Sequence, residues 1–202
     1  NPIYQFVITG GPCAGKSTCL SVLDNALSEK GIRTIVVAET ATEVITSGMS
    51  FMDLPETIFQ GNIMRNSYAK EESARAAAKI YAQKSPVVIL YDRGIPDGHA
   101  YMASKNYNKG LANFGLNEVS ARDQYDAVFH LVTAANGAEQ AYTTANNAAR
   151  SETPEQAKAL DTKTMQAWVG HPHLRVIDNS TDFNGKINRL VGEVFSVIGL
   201  PV

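Results

Sequence analysis

Ile3-Tyr4-Gln5-Phe6-Val7-Ile8-Thr9-Gly10-Gly11-Pro12-Cys13-Ala14-Gly15-Lys16-Ser17 is the stretch that decides the fold. Ile3 to Thr9 is a short run of β-branched and aromatic residues ending in Gly10-Gly11-Pro12, so it reads as a buried strand entering a tight loop. Gly10 to Ser17 then fits G-x-x-x-x-G-K-[ST] in full, and Leu20, Leu23 and Leu27 follow at helical spacing with Gly31 placed to cap the helix. Strand, glycine loop and helix in that order are the context a P-loop requires. A random chain of this length would match the pattern roughly once in a hundred times, so the match carries information even before its context is counted.

The chemistry of such a loop is phosphate binding. Glycines let backbone N–H groups curl round phosphate oxygens, and the helix N-terminus adds a positive partial charge. Lys16 is placed to bridge β and γ phosphates, and the Ser17 hydroxyl to ligate Mg²⁺. Gly10, Gly11, Pro12, Cys13, Ala14, Gly15, Lys16, Ser17 and Thr18 are therefore the expected nucleotide-binding residues. The N-K-x-D signature of Ras-like GTPases is absent, since Asn108-Lys109-Gly110-Leu111 fails at its last place, and ATP and GTP both stay open as ligands.

Working outward, Thr34 to Ala38, Val87 to Leu90 (ending at Asp92), Asp126 to Val132 and Leu174 to Asp178 read as four further strands. A short helix is expected over Thr40 to Ser47. A long one is expected to start in a capping box at Asp53 and Glu56 and to run to about Gln83, before Ser85-Pro86. Gly94 to Asn117 reads as mostly loop, Ala138 to Trp168 as helical with a break near Ser151 to Pro154, and a last helix covers about Asp182 to Ile198. Strands separated by helices predict right-handed βαβ units. The expected fold is α/β, a P-loop NTPase three-layer sandwich with a five-stranded parallel sheet and helices on both faces, as one domain over 1–202.

Composition agrees. The chain has 202 residues, 44% hydrophobic and 19% charged, with a net charge of −2. That balance gives no general field for nucleic acid, and no apolar stretch has the length of a membrane helix. With no signal-peptide layout, a cytoplasmic location is expected. Cys13 and Cys19 flank Lys16, and a disulfide there would strain the loop, so reduced thiols are expected.

Asp92 closes an apolar strand, where P-loop proteins place the acid that holds Mg²⁺ directly or through water. The alternative is a turn-forming Asp before Gly94. Arg93 follows where an AAA-type motor usually carries a glutamate to activate water, and an arginine there suits neutralisation of a transferring phosphoryl group. Asp92-Arg93-Gly94 with Asp97 resembles the Glu-Arg-Ser or Asp-Arg motifs of nucleoside and thymidylate kinases, and Glu39 after the second strand is similar to the glutamate those kinases set beside the acceptor hydroxyl. Phe59-Gln60 is similar to their acceptor-base contact.

Over its whole length the chain resembles the family that groups NadR-type nicotinamide riboside kinase domains with the nucleotide-binding domain of the TRPL translocation defect protein. The likeness rests on Phe129-His130-Leu131-Val132-Thr133-Ala134-Ala135, on Asn146-Asn147 with Arg150 and Glu152, and on Gly170-His171-Pro172-His173 leading to Val176-Ile177-Asp178-Asn179-Ser180-Thr181. One branch implies transfer of an ATP γ-phosphate to a small-molecule hydroxyl such as a nucleoside's; the other implies a GTP- and phospholipid-linked trafficking factor. Glu39 then reads as a catalytic base or as a helix-capping acid. Arg150, in a lid over 134–160, reads as a phosphate clamp or as a solvated helix residue. Asn179 and Thr181 sit where small P-loop kinases hold the nucleotide base, with Thr181 or Ser180 as a plain N-cap the alternative. Tyr101, Tyr107 and Phe114 are candidates for an apolar wall on the acceptor side, or for core. His171 and His173 lack cysteine partners and read as a loop or strand-edge pair rather than a zinc site.

Overall fold

The computed structural model describes residues 1–142 and 152–201. Five strands, β1 (Ile3–Thr9), β2 (Arg33–Val37), β3 (Val87–Asp92), β4 (Ala127–Leu131) and β5 (Leu174–Ile177), form one parallel sheet in the order β2-β3-β1-β4-β5. The helices among the described residues are α1 (Lys16–Glu29), α2 (Thr40–Thr46), α3 (Glu56–Tyr81), α4 (Ser104–Ala112), α5 (Glu118–Arg122), α6 (Pro154–Trp168) and α7 (Phe183–Ile198). The α/β sandwich read from the sequence is the fold observed.

The period of two along each strand sorts side chains into two cores. Phe6, Ile8, Val88, Leu90, Phe129 and Leu131 face α1 and α7, against Leu20, Leu23, Leu27, Leu190 and Val194. Val7, Val87, Ile89, Tyr91 and Val128 face the other way, against Ala74 and Ala78 of α3 and Trp168 of α6. Being buried on both faces is why β1, β3 and β4 read as continuous apolar runs rather than alternating ones.

Three local expectations change. Asp53 caps nothing: α3 begins at Glu56 with Pro55 as its N-cap residue and no side-chain cap, because the Glu56 carboxylate is instead taken by the Ala103 N–H (3.1 Å) and the Asn106 amide (3.0 Å). The segment 94–117 is not mostly loop. Its residues make a 3₁₀ turn (Ile95–Ala100) and α4, and Tyr107 and Leu111 bury against Met64, Ile95 and Ala121 in a third small core, so packing overrides a composition rich in Gly and Asn. Finally, the stretch after β4 is a three-residue 3₁₀ turn (Glu139–Ala141) before residues 143–151, which lie outside the described residues, and α6 starts at Pro154 under a Thr153 capping box.

Candidate functional site

The strand order puts β1 at the centre, with β3 beside it on one side and β4 on the other, so the chain ends of β2, β3, β1 and β4 gather at one edge of the sheet. In open α/β sheets that edge is where ligands bind. The P-loop leaves β1 here. Gly10 has φ +141°, and a Cβ there would stand 2.0 Å from the Leu131 carbonyl oxygen, so no side chain fits. Gly15, at φ +87°, is the N-cap of α1, and its missing Cβ leaves room for the Phe183 ring, which would otherwise lie 2.5 Å away. No acidic residue occupies the first turn of α1, so its positive end is uncompensated by the chain itself.

Neighbouring main chain and side chains brace the loop. The Ala134 N–H donates to the Cys13 carbonyl (3.2 Å) and the Thr133 hydroxyl to that of Pro12. Lys186 of α7, which sequence reasoning missed, donates to the Val132 carbonyl (2.6 Å) and to Asn179 Oδ1 (2.8 Å), and burial brings its ammonium down to about 8. Burial pushes the Cys19 thiol up to about 11 against the pull of Lys186 and Lys16.

A groove of about 840 Å³ opens over the loop, lined by Cys13 to Thr18, the turn at 137–141, Asn179, Thr181, Phe183 and Lys186. Asn179 is spent on structure. Its amide donates to the carbonyls of Thr133 (2.9 Å) and Asn136 (2.6 Å), tying the end of β5 to the loop after β4. Thr181 accepts from Arg189 (3.1 Å), and the N-cap of α7 is neither Ser180 nor Thr181 but Asp182, which accepts from the Gly185 N–H at 2.8 Å. The partly exposed ring of Phe183 at this groove was not anticipated; it is the first residue of α7, and only its packing against Gly15 marks it.

On the other side of the loop a cavity of about 470 Å³ runs between α2, α3, the 3₁₀ turn at 95–100 and α6. One end is polar, with Glu39, Asp92, Arg93 and Asp97; the other is formed by side chains such as Ile45, Phe59, Ile63 and Met102, with Gln60 among them. Glu39, Asp92 and Arg93, chosen from separate strand ends in the sequence, thus meet. Arg93 Nε donates to Glu39 Oε1 at 2.7 Å, Thr42 donates to Glu39 Oε2 at 2.7 Å, and Arg93 Nη1 stands 3.9 Å from Asp97 Oδ1. Arg93 holds this position with φ +69°, a conformation that costs a non-glycine residue energy and that clusters at functional sites. Burial alone would raise the Glu39 carboxyl, but Arg93, Lys16 and the Thr42 hydrogen bond outweigh it and hold the group well below the usual carboxylate range.

Asp97 itself is buried, accepting from the Thr9 hydroxyl and from the Gly94 N–H (2.8 Å). Asp92 is pushed up by burial, with Lys16 opposing, and its Oδ1 is a buried acceptor with no hydrogen-bond partner among the described residues. A carboxylate oxygen in that state, within electrostatic reach of Lys16 of the P-loop, fits a hard divalent cation such as Mg²⁺. Glu71 of α3 closes part of the same cavity. Burial raises its carboxyl to about 7, although Tyr125 donates to it (2.9 Å) and Arg75 lies beside it (3.2 Å).

Of the proposed apolar wall only Tyr101 lines the cavity; Tyr107 is core, stacked on His99 at 4.8 Å, and Phe114 stacks on Tyr68 at 4.3 Å. His171 Nε2 lies 2.8 Å from the Tyr125 carbonyl and its Nδ1 accepts from the His173 N–H (3.1 Å), so both ring nitrogens serve the local turn. Arg150, Asn146 and Asn147 lie outside the described residues. Among those described, no helix is long and apolar enough to cross a membrane.

With the P-loop, its sheet order and the acidic end of β3 in place, the comparison with known families becomes decisive: a family model described as an AAA domain matches residues 5–186. The chain belongs to that AAA family. It is the P-loop family that includes NadR-like domains and those of the TRPL translocation defect protein. No curated protein matches the chain. Membership makes this AAA domain a nucleotide-binding domain.

Proposed function

We propose that this AAA domain is a Mg²⁺-dependent small-molecule kinase of nucleoside-kinase-like design, passing the γ-phosphoryl group of ATP or GTP to a hydroxyl held in the 470 Å³ cavity. The observation that supports it most is that the cavity ends on the Glu39–Arg93 pair and Asp92, directly beside the P-loop, so a hydroxyl there would face a triphosphate lying in the groove.

The backbone from Cys13 to Thr18 and Lys16 hold the phosphates. Ser17 and Asp92 would hold Mg²⁺, which would supply positive charge against the phosphates. Arg93 balances the charge of the transferring group, its guanidinium fixed by Glu39 and Asp97 so that little reorganisation is needed. Glu39 receives or orients the acceptor's proton. Phe183 flanks the base from below Gly15, with Asn179 and Thr181 shaping that end of the groove. We assign these roles to a single domain with a cytoplasmic location.

A second reading is a regulatory nucleotide-binding module or slow NTPase. One observation favours it: Glu39 is pinned below the usual carboxylate range by Arg93, which makes it a weak base unless the pair opens.

Purified protein with Mg·ATP or Mg·GTP, screened against ribonucleosides, deoxynucleosides and nicotinamide riboside, separates the two. The kinase reading expects ADP or GDP release that depends on one class of acceptor. Release that no acceptor accelerates, with nucleotide-dependent protease protection of 94–160, supports the module instead.

A further inference from the structure

Asp161 stands in the sequence as an ordinary polar residue of a helix, yet its side chain reaches the phosphate loop. Asp161 Oδ1 accepts from the Gly11 N–H at 2.7 Å and from the Thr133 N–H at 3.2 Å, and His130 Nε2 lies 3.2 Å from the same oxygen. Asp161, His130 and Thr133 are all buried. The approach is tight: a Cβ added to Gly11 would stand 2.8 Å from Asp161 Cβ. The Gly11 N–H is thereby committed to Asp161, so Gly11 serves the phosphate cradle by placing its neighbours.

The loop needs such a brace. Gly10 (φ +141°), Cys13 (φ +56°) and Gly15 (φ +87°) take three positive-φ conformations within six residues, a shape that persists only where surrounding contacts over-determine it. Asp161 joins the two backbone segments that flank the cradle, the P-loop at Gly11 and the β4 exit at Thr133. Leu160, the adjacent residue of α6, lines the proposed acceptor cavity, and Trp168, about two turns further along the helix, packs where a Cβ on Gly94 would be (2.9 Å). One helix therefore touches both sites.

We propose that Asp161 is a positioning residue for nucleotide binding, fixing the P-loop by holding the Gly11 and Thr133 amides on one carboxylate oxygen. Burial raises its carboxyl, but His130 and the two amides outweigh that and keep it below the ordinary range, so the acceptor stays charged and strong. The proposal rests on the nucleotide site alone and not on the identity of any acceptor.

The test is the affinity of the full chain for a fluorescent ATP analogue with Mg²⁺, measured beside the urea unfolding midpoint. The wild type is compared with Asp161→Ala, Asp161→Asn and Thr164→Val, a buried change on the same helix. Loss of two hydrogen bonds to a charged acceptor predicts affinity weaker by about 10- to 100-fold in Asp161→Ala, by about 3- to 10-fold in Asp161→Asn, and unchanged in Thr164→Val. Asp161→Asn should also speed amide hydrogen exchange at Gly11 and Thr133. If Asp161→Ala binds within twofold of wild type, or falls only as far as its unfolding midpoint explains, the proposal is overturned. If it does not fold, Asp161→Asn decides by the same criterion. A wild type without nucleotide affinity would instead contradict the nucleotide site, a separate result.

Discussion

The groove over the P-loop and the cavity we propose for an acceptor lie on opposite sides of one loop and are built by opposite means. The groove is built round one continuous loop, whose residues Cys13 to Thr18 line it in sequence order. The cavity's come from β2, β3, α2, α3, a 3₁₀ turn and α6, and its polar end exists only because the sheet order brings Glu39 and Arg93 within 2.7 Å. A local site is fixed by backbone conformation and fails by strain. An assembled one is fixed by ion pairs and packing, and fails by losing a charge or a shape.

Substitutions can break that contrast. Arg93→Ala has the largest expected effect: acceptor-dependent turnover falls about a thousandfold while nucleotide affinity changes by less than about threefold, read by steady-state kinetics beside equilibrium titration. Equal losses in both would mean that the two sites are one. Gly10→Ala attacks the local side, forcing a Cβ to within 2.0 Å of a carbonyl oxygen; about 3 kcal/mol or more of stability should go, measured by urea unfolding, together with nucleotide affinity. Phe183→Ala sharpens the comparison more gently. It removes one stacking surface from the groove, so nucleotide affinity drops about fivefold and turnover at saturating nucleotide is unchanged.

The smallest effect concerns pH. Glu71 rises from 4.5 to about 7 in the fold, so over that window the folded chain holds more protons than the unfolded one. The stability owed to its neutral form is complete below about pH 4.5 and is lost as pH climbs through 7. Glu71→Gln should flatten the unfolding free energy between those values and leave the groove's nucleotide affinity alone. A wild-type profile with no slope there contradicts the assignment.

The same contrast explains what the sequence disclosed. Gly10 to Ser17 was readable because adjacent residues do the work, and the five strands were readable because burial on one or both faces writes apolar runs at fixed length. Glu39, Asp92 and Arg93 were singled out by their places at strand ends and by the resemblance to nucleoside kinases, and the structure brings Glu39 and Arg93 into contact. Asp161 was invisible, since its partner Gly11 is 150 residues away and helical Asp residues are common. Glu71 and Phe183 likewise differ from surface neighbours only in what packs on them. The stretch 94–117 misled for the complementary reason: its Gly and Asn content resembles a loop, but Tyr107 and Leu111 find a small core contributed by α3 and α5, and burial decides.

Following the γ-phosphoryl group itself is the most direct test. With γ-labelled ATP, Mg²⁺ and an acceptor that accelerates turnover, the label should appear covalently on the organic hydroxyl compound, and Arg93→Ala should abolish that product. Label recovered wholly as inorganic phosphate, whatever acceptor is supplied, would contradict phosphoryl transfer across the loop.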